Sequence, residues 1–287
     1  MVAVRGSRAS GRPVLIVRRR DLTFGRVRTL DRTGRIAAVT VAVDPTGATL
    51  AAWVRGSVVY ARTLTGRTLG PIRRLGRTRP SPILRADALN RRSVVAWAGQ
   101  RVVEGSPGGP FVARAAAARN GRFAATQTVG TVPGLDTGEY VGGARVQAVV
   151  LQDGRTQVAW TAYERGRFGV RAREIAGSHL DVTLIASPPD QDAVFAALAS
   201  GPANETALAL VTGVRGADAA PGATPQLFAA VRSDGETAYS APEPVSSGGS
   251  VDPNGVAIAI APKTRRVIAA WRRVGSPIHF AWRQPVS

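Results

Sequence analysis

A few acidic residues lie where they could take part in acid–base chemistry, although the chain has only 19 of them against 38 basic residues. Two carboxyl groups on opposite sides of a glycosidic bond can hydrolyse it, one as the acid and the other as a base or nucleophile. One long connecting segment, residues 131–145, contains Asp136, Glu139 and Tyr140. Because long loops on a rigid scaffold often carry function, we predict a ligand site at these three residues. Three further acids could also contribute carboxyl groups: Glu164, Asp190 and Asp192.

Other catalytic groups are rare. The chain has no cysteine and two histidines, His179 and His279, which lie in different parts of the sequence and outside any recognisable nucleophile motif. No His, Asp or Glu cluster has metal-ligand spacing, and no glycine-rich stretch follows a strand to open a phosphate-binding helix. We therefore predict no catalytic residue, no metal site and no cofactor, and we prefer a non-enzymatic protein while leaving the question open.

Positive charge is the second possible source of function. The net charge is +19, and residues 1–100 alone carry 20 arginines against four acidic residues. Clustered guanidinium groups bind phosphate or sulfate in bidentate fashion, so a basic surface could bind a polyanion. The plainer alternative is that arginine on outer strands prevents sheet edges from pairing with other chains. The residues predicted to supply the positive field are Arg18, Arg19, Arg20, Arg73, Arg74, Arg265 and Arg266.

A repeat organises these residues. An Ala-Trp pair recurs along the chain, and Trp53 and Trp271 are 218 residues apart over four periods, or 54.5 residues for each. A second marker, an apolar run that ends in arginine, recurs at a matching interval. Two markers with one period indicate a repeat architecture. Because each tryptophan lies within an apolar strand, we expect it to be buried in packing and not to stack on a ligand. The tryptophans concerned are Trp53, Trp97, Trp160 and Trp271.

Each repeat is predicted to form four short strands. β-branched and aromatic residues alternate with turn signals every 8–12 residues, which is typical of all-β proteins. In the clearest repeat the strands are predicted at Ile36–Asp44, Ala48–Arg55, Ser57–Thr63 and Thr68–Leu75. The sequence thus predicts one domain over residues 1–287, with strand pieces in 13–30 and repeats at about 31–77, 78–130, 131–187, 188–247 and 248–287.

The last repeat lacks a fourth strand, and a matching segment occurs at the N-terminus. Leu22–Leu30 is similar to Thr68–Leu75, so we expect it to pair with Pro277–Arg283 and to complete the last sheet. Such pairing would remove two free sheet edges. The segment Pro13–Arg20 does not fit this scheme, because it resembles a third strand that the last repeat already has.

The repeats resemble the degenerate blades of bacterial sialidase-like and NHL-like β-propellers, in which a Val-Ala-Val-Asp-x-x-Gly turn leads into an apolar strand that ends in Trp. The resemblance is best at Val41–Trp53 and covers nearly the whole chain. It implies an all-β β-propeller of four-stranded antiparallel blades, with five blades and N-terminal strand closure. It carries over no catalytic residue, because the Ser-x-Asp-x-Gly-x-Thr-Trp box of sialidases is not present here in that form. It also leaves an extracytoplasmic location open.

We therefore expect a non-enzymatic binding or scaffold propeller whose ligand is an acidic polymer or a glycan. The first alternative is a sialidase-like glycan-active hydrolase, and the second is a nucleic-acid-binding protein that uses the basic residues. We further expect a monomer, open to a protein partner. No apolar run reaches the roughly 18 residues of a membrane span, so we expect none. The N-terminal apolar block Val14–Val17 is shorter than the roughly 7–15 residues that a signal peptide needs, so we expect no signal peptide in the chain as given.

Overall fold

The structure is a computed structural model that describes residues 1–5, 10–17, 23–32, 34–100, 111–132, 145–164, 167–176, 179–187, 192–212, 224–246, 250–273 and 277–283. Within these ranges the regular elements are β-strands, arranged in six antiparallel sheets. The predicted all-β class is therefore confirmed. The chain divides into two compact units, Met1–Thr128 and Val129–Ser287.

The first unit contains three sheets. In each of them, strands that follow one another in sequence lie side by side, and β8 also pairs with β6. The strands are β1 Val2–Arg5, β2 Arg12–Leu15, β3 Arg28–Thr29, β4 Ile36–Val43, β5 Thr49–Arg55, β6 Val58–Thr65, β7 Thr68–Leu69, β8 Arg73–Arg77, β9 Arg79–Leu89, β10 Arg92–Gln100, β11 Phe111–Arg119 and β12 Arg122–Phe123. Strand β13, Gln127–Thr131, spans the border between the units.

The second unit contains the other three sheets, again with sequence neighbours side by side; β18 also pairs with β16. Its strands are β14 Val146–Val150, β15 Thr156–Glu164, β16 Arg167–Ala176, β17 His179–Leu180, β18 Leu184–Ile185, β19 Ala193–Ser200, β20 Thr206–Thr212, β21 Gln226–Arg232, β22 Glu243–Pro244, β23 Val251–Ile260, β24 Val267–Arg273 and β25 Ile278–Arg283.

Turn chemistry sets the short connections between first and second strands. Asp44, Pro45, Thr46 and Gly47 form the predicted β-turn, in which the Gly47 amide donates a hydrogen bond of 2.7 Å to the Asp44 carbonyl. Gly47 has a φ of 88°, a value that a residue with a side chain rarely adopts. In the second unit the Gly154 amide makes the same bond to the Leu151 carbonyl. The sheets are therefore built from short hairpins.

The repeated tryptophans are core residues, as predicted. Trp53 is fully buried, and Trp97, Trp160 and Trp271 are between 1 and 5% exposed. Trp97 packs in one cluster with apolar residues of the neighbouring sheet, Leu50 and Leu75 among them. These indoles therefore fill the space between sheets and cannot stack on a ligand.

The N-terminal segment forms a sheet of its own in the first unit. Arg28–Thr29, the described strand within the predicted closing segment, pairs with Arg12–Leu15, and Leu15 lies opposite Arg28. The segment Pro13–Arg20, which did not fit the predicted repeats, begins with the middle strand of that sheet. Closure of the last sheet by Leu22–Leu30, the blade count and the single domain stay predictions.

Candidate functional site

The candidate site lies at the end of the second unit where the first strands of its sheets begin. Arg145 directly precedes β14 and is only 9% exposed. Its Nη2 donates a hydrogen bond of 2.5 Å to Oδ1 of Asn254, and its Nη1 donates to the carbonyl oxygens of Pro253 and, at 3.5 Å, Phe195. One guanidinium group thus joins the starts of β14, β19 and β23.

Two β-bulges explain why Arg145 finds these acceptors. The pairing of β19 with β20 shifts register between Phe195 and Ala197, and that of β23 with β24 shifts between Val251 and Val256. A bulge leaves backbone groups without their ladder partners and turns nearby side chains in a new direction. Arg145 satisfies a carbonyl oxygen in each bulged region, and the bulge in β23 contains Asp252 and Asn254.

Asp252 and Arg272 form an ion pair at this end. Arg272 Nη2 donates to Oδ2 of Asp252, whose other oxygen accepts a hydrogen bond of 2.9 Å from the Asn254 amide. The hydrogen bond from Arg272 lowers the pKa of Asp252 below its usual value, against the opposing effect of burial. The two side chains differ in access to solvent, with 59% of Arg272 exposed and 15% of Asp252. A ligand would therefore meet the guanidinium group first and the ionised carboxylate behind it.

The predicted acid Asp192 lies at the same end. Its Oδ1 accepts a hydrogen bond of 2.8 Å from the amide of Phe168, which links the start of β19 to the start of β16. Oγ1 of Thr161, near the end of β15, accepts a hydrogen bond of 3.0 Å from the Phe195 amide. The end of the unit is therefore lined by two aspartates and two arginines on a hydrogen-bonded backbone. We call Arg145, Asp192, Asp252, Asn254 and Arg272 the Arg145 cluster.

The three residues that the sequence predicts for the ligand site, Asp136, Glu139 and Tyr140, lie outside the described residues, as do Arg18, Arg19 and Arg20. Asp136, Glu139 and Tyr140 belong to the segment that ends at Arg145. Sequence reasoning missed Arg145, Asp252 and Arg272. The only sequence feature that could have indicated this site is the position of Arg145 at the end of the longest connection between repeats.

A second polar network occupies the opposite end of the second unit, where the short turns lie. Arg155 binds three carboxylates: its Nε lies 2.6 Å from Asp153, its Nη1 2.8 Å from Glu174 and its Nη2 2.5 Å from Asp234. Burial alone would lower the pKa of Arg155, but these hydrogen bonds and charges raise it above its usual value. These contacts join residues of several turns, so the network holds the turns together.

The buried side of this network contains Glu174, Arg232 and Tyr239. Glu174 accepts a hydrogen bond from Arg232, and both side chains are less than 10% exposed. The Tyr239 hydroxyl donates a hydrogen bond of 2.9 Å to Oε1 of Gln157 and lies 3.1 Å from Oγ1 of Thr206. Burial raises the pKa of Tyr239 above its usual value. This tyrosine is therefore a neutral structural group.

The first unit has a polar cavity of about 660 Å³ at its short turns. Asp44 lines it and is 2% exposed, and its carboxylate accepts hydrogen bonds of 2.7 and 2.6 Å from the amides of Thr46 and Arg91. Burial pushes the pKa of Asp44 upward, but the hydrogen bonds from Thr46 and Arg91 outweigh it and the pKa is lowered. The carboxylate is thus held ionised, suited to accepting hydrogen bonds. Other polar residues of the lining are Thr49, Thr63, Thr65, Arg92, Ser93 and Asn120.

The predicted arginines among the described residues differ in their surroundings. Arg73 and Arg74 are exposed on β8 and line one groove together with Arg122. Arg265 belongs to the second unit and is neutralised, because its Nε lies 2.9 Å from Oε1 of the buried Glu205. Arg266, beside it, is exposed. Arg73 and Arg74 therefore share one groove, and the predicted basic surface as a whole stays a prediction.

Within the described ranges, no group of three or more His, Asp or Glu side chains could hold a metal ion. No helix in those ranges is long and apolar enough to cross a membrane.

Comparison with known proteins identifies the fold. No family model and no curated protein sequence matches the chain. Among solved structures, the chain is similar to a polysaccharide lyase, an ulvan lyase bound to -[GlcA(1-4)Rha3S]-, at 10% identity and a TM-score of 0.53, over 96% of this chain and 70% of the lyase. It is also similar to an α-L-arabinanase of Penicillium chrysogenum, with 11% identity, a TM-score of 0.49 and 82% and 74% of the two chains covered. The chain has a β-propeller fold.

This comparison also corrects a prediction. The ulvan lyase, a polysaccharide-processing enzyme, has a similar fold, and this finding contradicts the prediction of a non-enzymatic binding or scaffold propeller. The error has a physical reason. The repeat specifies the scaffold, whereas the chemistry of such a scaffold lies on its strand ends and loops, so a low content of His and Cys is no argument against catalysis. A sialidase of Streptococcus pneumoniae is a further similar structure, at 10% identity and a TM-score of 0.41, over 72% of this chain and 33% of the sialidase.

Proposed function

We propose that this β-propeller is an enzyme that cleaves an acidic polysaccharide, and that the Arg145 cluster is its active site. The observation that carries the proposal is the pair Arg272–Asp252, in which an exposed guanidinium group covers a less exposed, ionised carboxylate. Glycan chemistry needs carboxylates beside the bond that breaks, and acidic sugars need a cation to hold them. The ulvan lyase with this fold binds a polymer of GlcA and Rha3S, which contains carboxylate and sulfate groups.

Three residues of the cluster have distinct roles in this proposal. Arg272 binds the acidic group of a sugar in place of Asp252, because a guanidinium group binds carboxylate and sulfate equally through paired N–H donors. Asp252 then lies beside the sugar without its ion-pair partner, and its pKa rises toward that of an ordinary carboxyl group. It can then accept a proton. Arg145 contacts the backbone that supports both residues, so it is a positioning residue.

The Arg155 network is a poorer candidate site, although it contains more ionisable groups. Glu174 and Arg232 are almost fully buried, and the hydroxyl of Tyr239 already bonds to two neighbours. A substrate could reach only Asp153, Arg155 and Asp234, and Arg155 is already bound to both carboxylates. The Arg155 network is therefore a packed structural network and not an accessible site.

The test is a depolymerisation assay on the full chain. The panel contains a polymer of GlcA and Rha3S units, polygalacturonate, linear arabinan and dextran, and release of reducing ends is measured together with the absorbance of unsaturated uronides, which distinguishes elimination from hydrolysis. We expect cleavage of an acidic member and loss of that cleavage in Arg272→Ala. No cleavage of any acidic member, or cleavage that Arg272→Ala leaves unchanged, would contradict the proposal.

A further inference from the structure

The positive charge of the protein belongs to one unit. Residues 1–128 contain 24 arginines and five acidic residues, a net charge of +19, whereas residues 129–287 contain 14 basic and 14 acidic residues. Of the acids described in the first unit, Asp31 forms an ion pair with Arg55, and Asp44 is bound by backbone amides. Most guanidinium groups of this unit therefore have no carboxylate to neutralise them.

Three of these arginines line one groove. Arg73 and Arg74 on β8 and Arg122 on β12 surround a space of about 470 Å³, and all three side chains are exposed. Among the described residues, none of the three guanidinium groups has a hydrogen bond or ion pair. Leu75 and Phe123 also line this space.

The backbone holds the two sides of the groove together. Oγ1 of Thr126 donates a hydrogen bond to the Leu75 carbonyl oxygen, which ties the segment after β12 to β8. Leu75 is 8% exposed, and Phe123 packs against the core cluster that contains Trp97. The groove is therefore a shaped feature of packed strands.

We propose that this groove is a second, non-catalytic binding site for the sulfate or carboxylate groups of an acidic polysaccharide, a class of ligand that rests on the proposed function. Guanidinium groups bind such anions through paired N–H donors. Single-stranded nucleic acids, by contrast, stack their bases on exposed aromatic rings. The lining has one aromatic residue, Phe123, whose ring is engaged in the core cluster.

The groove and the cavity at Asp44 are lined by consecutive residues of the chain. Asn120 and Gly121 line that cavity, and the next residues, Arg122–Thr126, line the groove. Arg91 and Arg92 also line the cavity.

The experiment measures binding of a fluorescent heparin oligosaccharide to the full chain by anisotropy at several salt concentrations. The test variant is Arg73→Ser/Arg74→Ser/Arg122→Ser, and the control, Arg26→Ser/Arg35→Ser/Arg67→Ser, removes three exposed arginines of the same unit from outside the groove. Thermal melts confirm that both variants are folded. We expect the groove variant to bind about tenfold or more weakly at low salt and to lose a large part of its salt dependence, because fewer counterions are released on binding.

Equal weakening in both variants would overturn the proposal, because it would mean that diffuse charge and not the groove binds the ligand. Tighter binding of single-stranded DNA of equal charge, lost in the groove variant, would overturn the choice of glycan.

The outcomes also distinguish a failure of the groove proposal from a failure of the catalytic proposal. If the wild type cleaves no polysaccharide but the groove variant still loses heparin binding selectively, the groove is supported and the proposed activity is not. If the wild type cleaves an acidic polysaccharide and the groove variant binds heparin like the wild type, the groove inference falls alone.

Discussion

Arg145 donates a hydrogen bond of 2.5 Å to the side chain of Asn254, which lies 109 residues further along the chain. The bond fixes the bulged start of β23, and the same bulge contains Asp252. Gly255 completes the arrangement, because a Cβ atom there would lie 2.8 Å from Cβ of Arg272. The geometry of the Arg272–Asp252 pair therefore depends on contacts that no local sequence pattern specifies.

Glycines beneath the tryptophans set how closely the strands can approach them. A Cβ atom at Gly130 would lie 2.4 Å from Cζ2 of Trp160, whereas one at Gly76 would lie 3.1 Å from Cζ2 of Trp97. Both indoles are almost fully buried and cannot move away. We predict that Gly130→Ala lowers the free energy of unfolding by about 1–3 kcal/mol and that Gly76→Ala lowers it less, because overpacking costs energy in proportion to the clash. Urea denaturation measures both, and equal stability of Gly130→Ala and the wild type would contradict the packing described.

Tyr239 should stabilise the second unit through its hydroxyl group. Its partners Gln157 and Thr206 are fully buried, so Tyr239→Phe leaves them without a hydrogen-bond partner. We predict a loss of about 1–2 kcal/mol in the free energy of unfolding. Tyr163→Phe is the matched control, because that tyrosine is 39% exposed and should change stability little. Comparable losses in the two variants, measured by urea denaturation, would argue against a special role for the Tyr239 hydroxyl.

The hydrogen bonds to the Asp44 carboxylate predict how the free energy of unfolding changes with pH. Its pKa in the folded protein is lowered, so its ionised form contributes stability above the unfolded value, near 3.9, and that contribution is lost as the pH falls through the folded pKa. We predict that Asp44→Asn is less stable than the wild type at neutral pH by about 2 kcal/mol, since hydrogen bonds to charged groups contribute about this much.

The difference should shrink as the pH falls below about 4, where the wild type loses the same contribution. Unfolding free energies of both proteins across this range provide the measurement. A difference that stays constant from neutral pH to the most acidic condition would show that ionisation of Asp44 does not stabilise the fold.

Local sequence patterns predicted the strands well because each strand and turn is specified by neighbouring residues. The predicted strands Ile36–Asp44 and Ala48–Arg55 are present as β4 and β5, and the turn between them has the expected hydrogen bond. The alanine-rich segment Phe111–Arg119 is a strand, and its residues pair with β10 along its whole length.

The candidate site was harder to predict because it depends on contacts between distant residues. Arg145 binds atoms 50 and 108 residues away, and the bulge in β23 that exposes one of them has no sequence signature of its own. Charge was misleading for a similar reason. Arg73 and Arg265 look equivalent in sequence, yet Arg73 lines a groove while Arg265 is neutralised by Glu205 from a neighbouring sheet.

The central claim is that Asp252 acts on the substrate. Its matched control is Asp234, which is also ion-paired to an arginine and also has a lowered pKa, but lies at the short-turn end in the Arg155 network. The deciding measurement is kcat of Asp252→Asn and Asp234→Asn on the acidic polysaccharide that the wild type cleaves fastest. We predict that Asp252→Asn lowers kcat by about 100-fold or more, the usual contribution of a general acid or base, and that Asp234→Asn stays close to the wild type. An Asp252→Asn protein with wild-type kcat, or equal losses in both variants, would contradict the account.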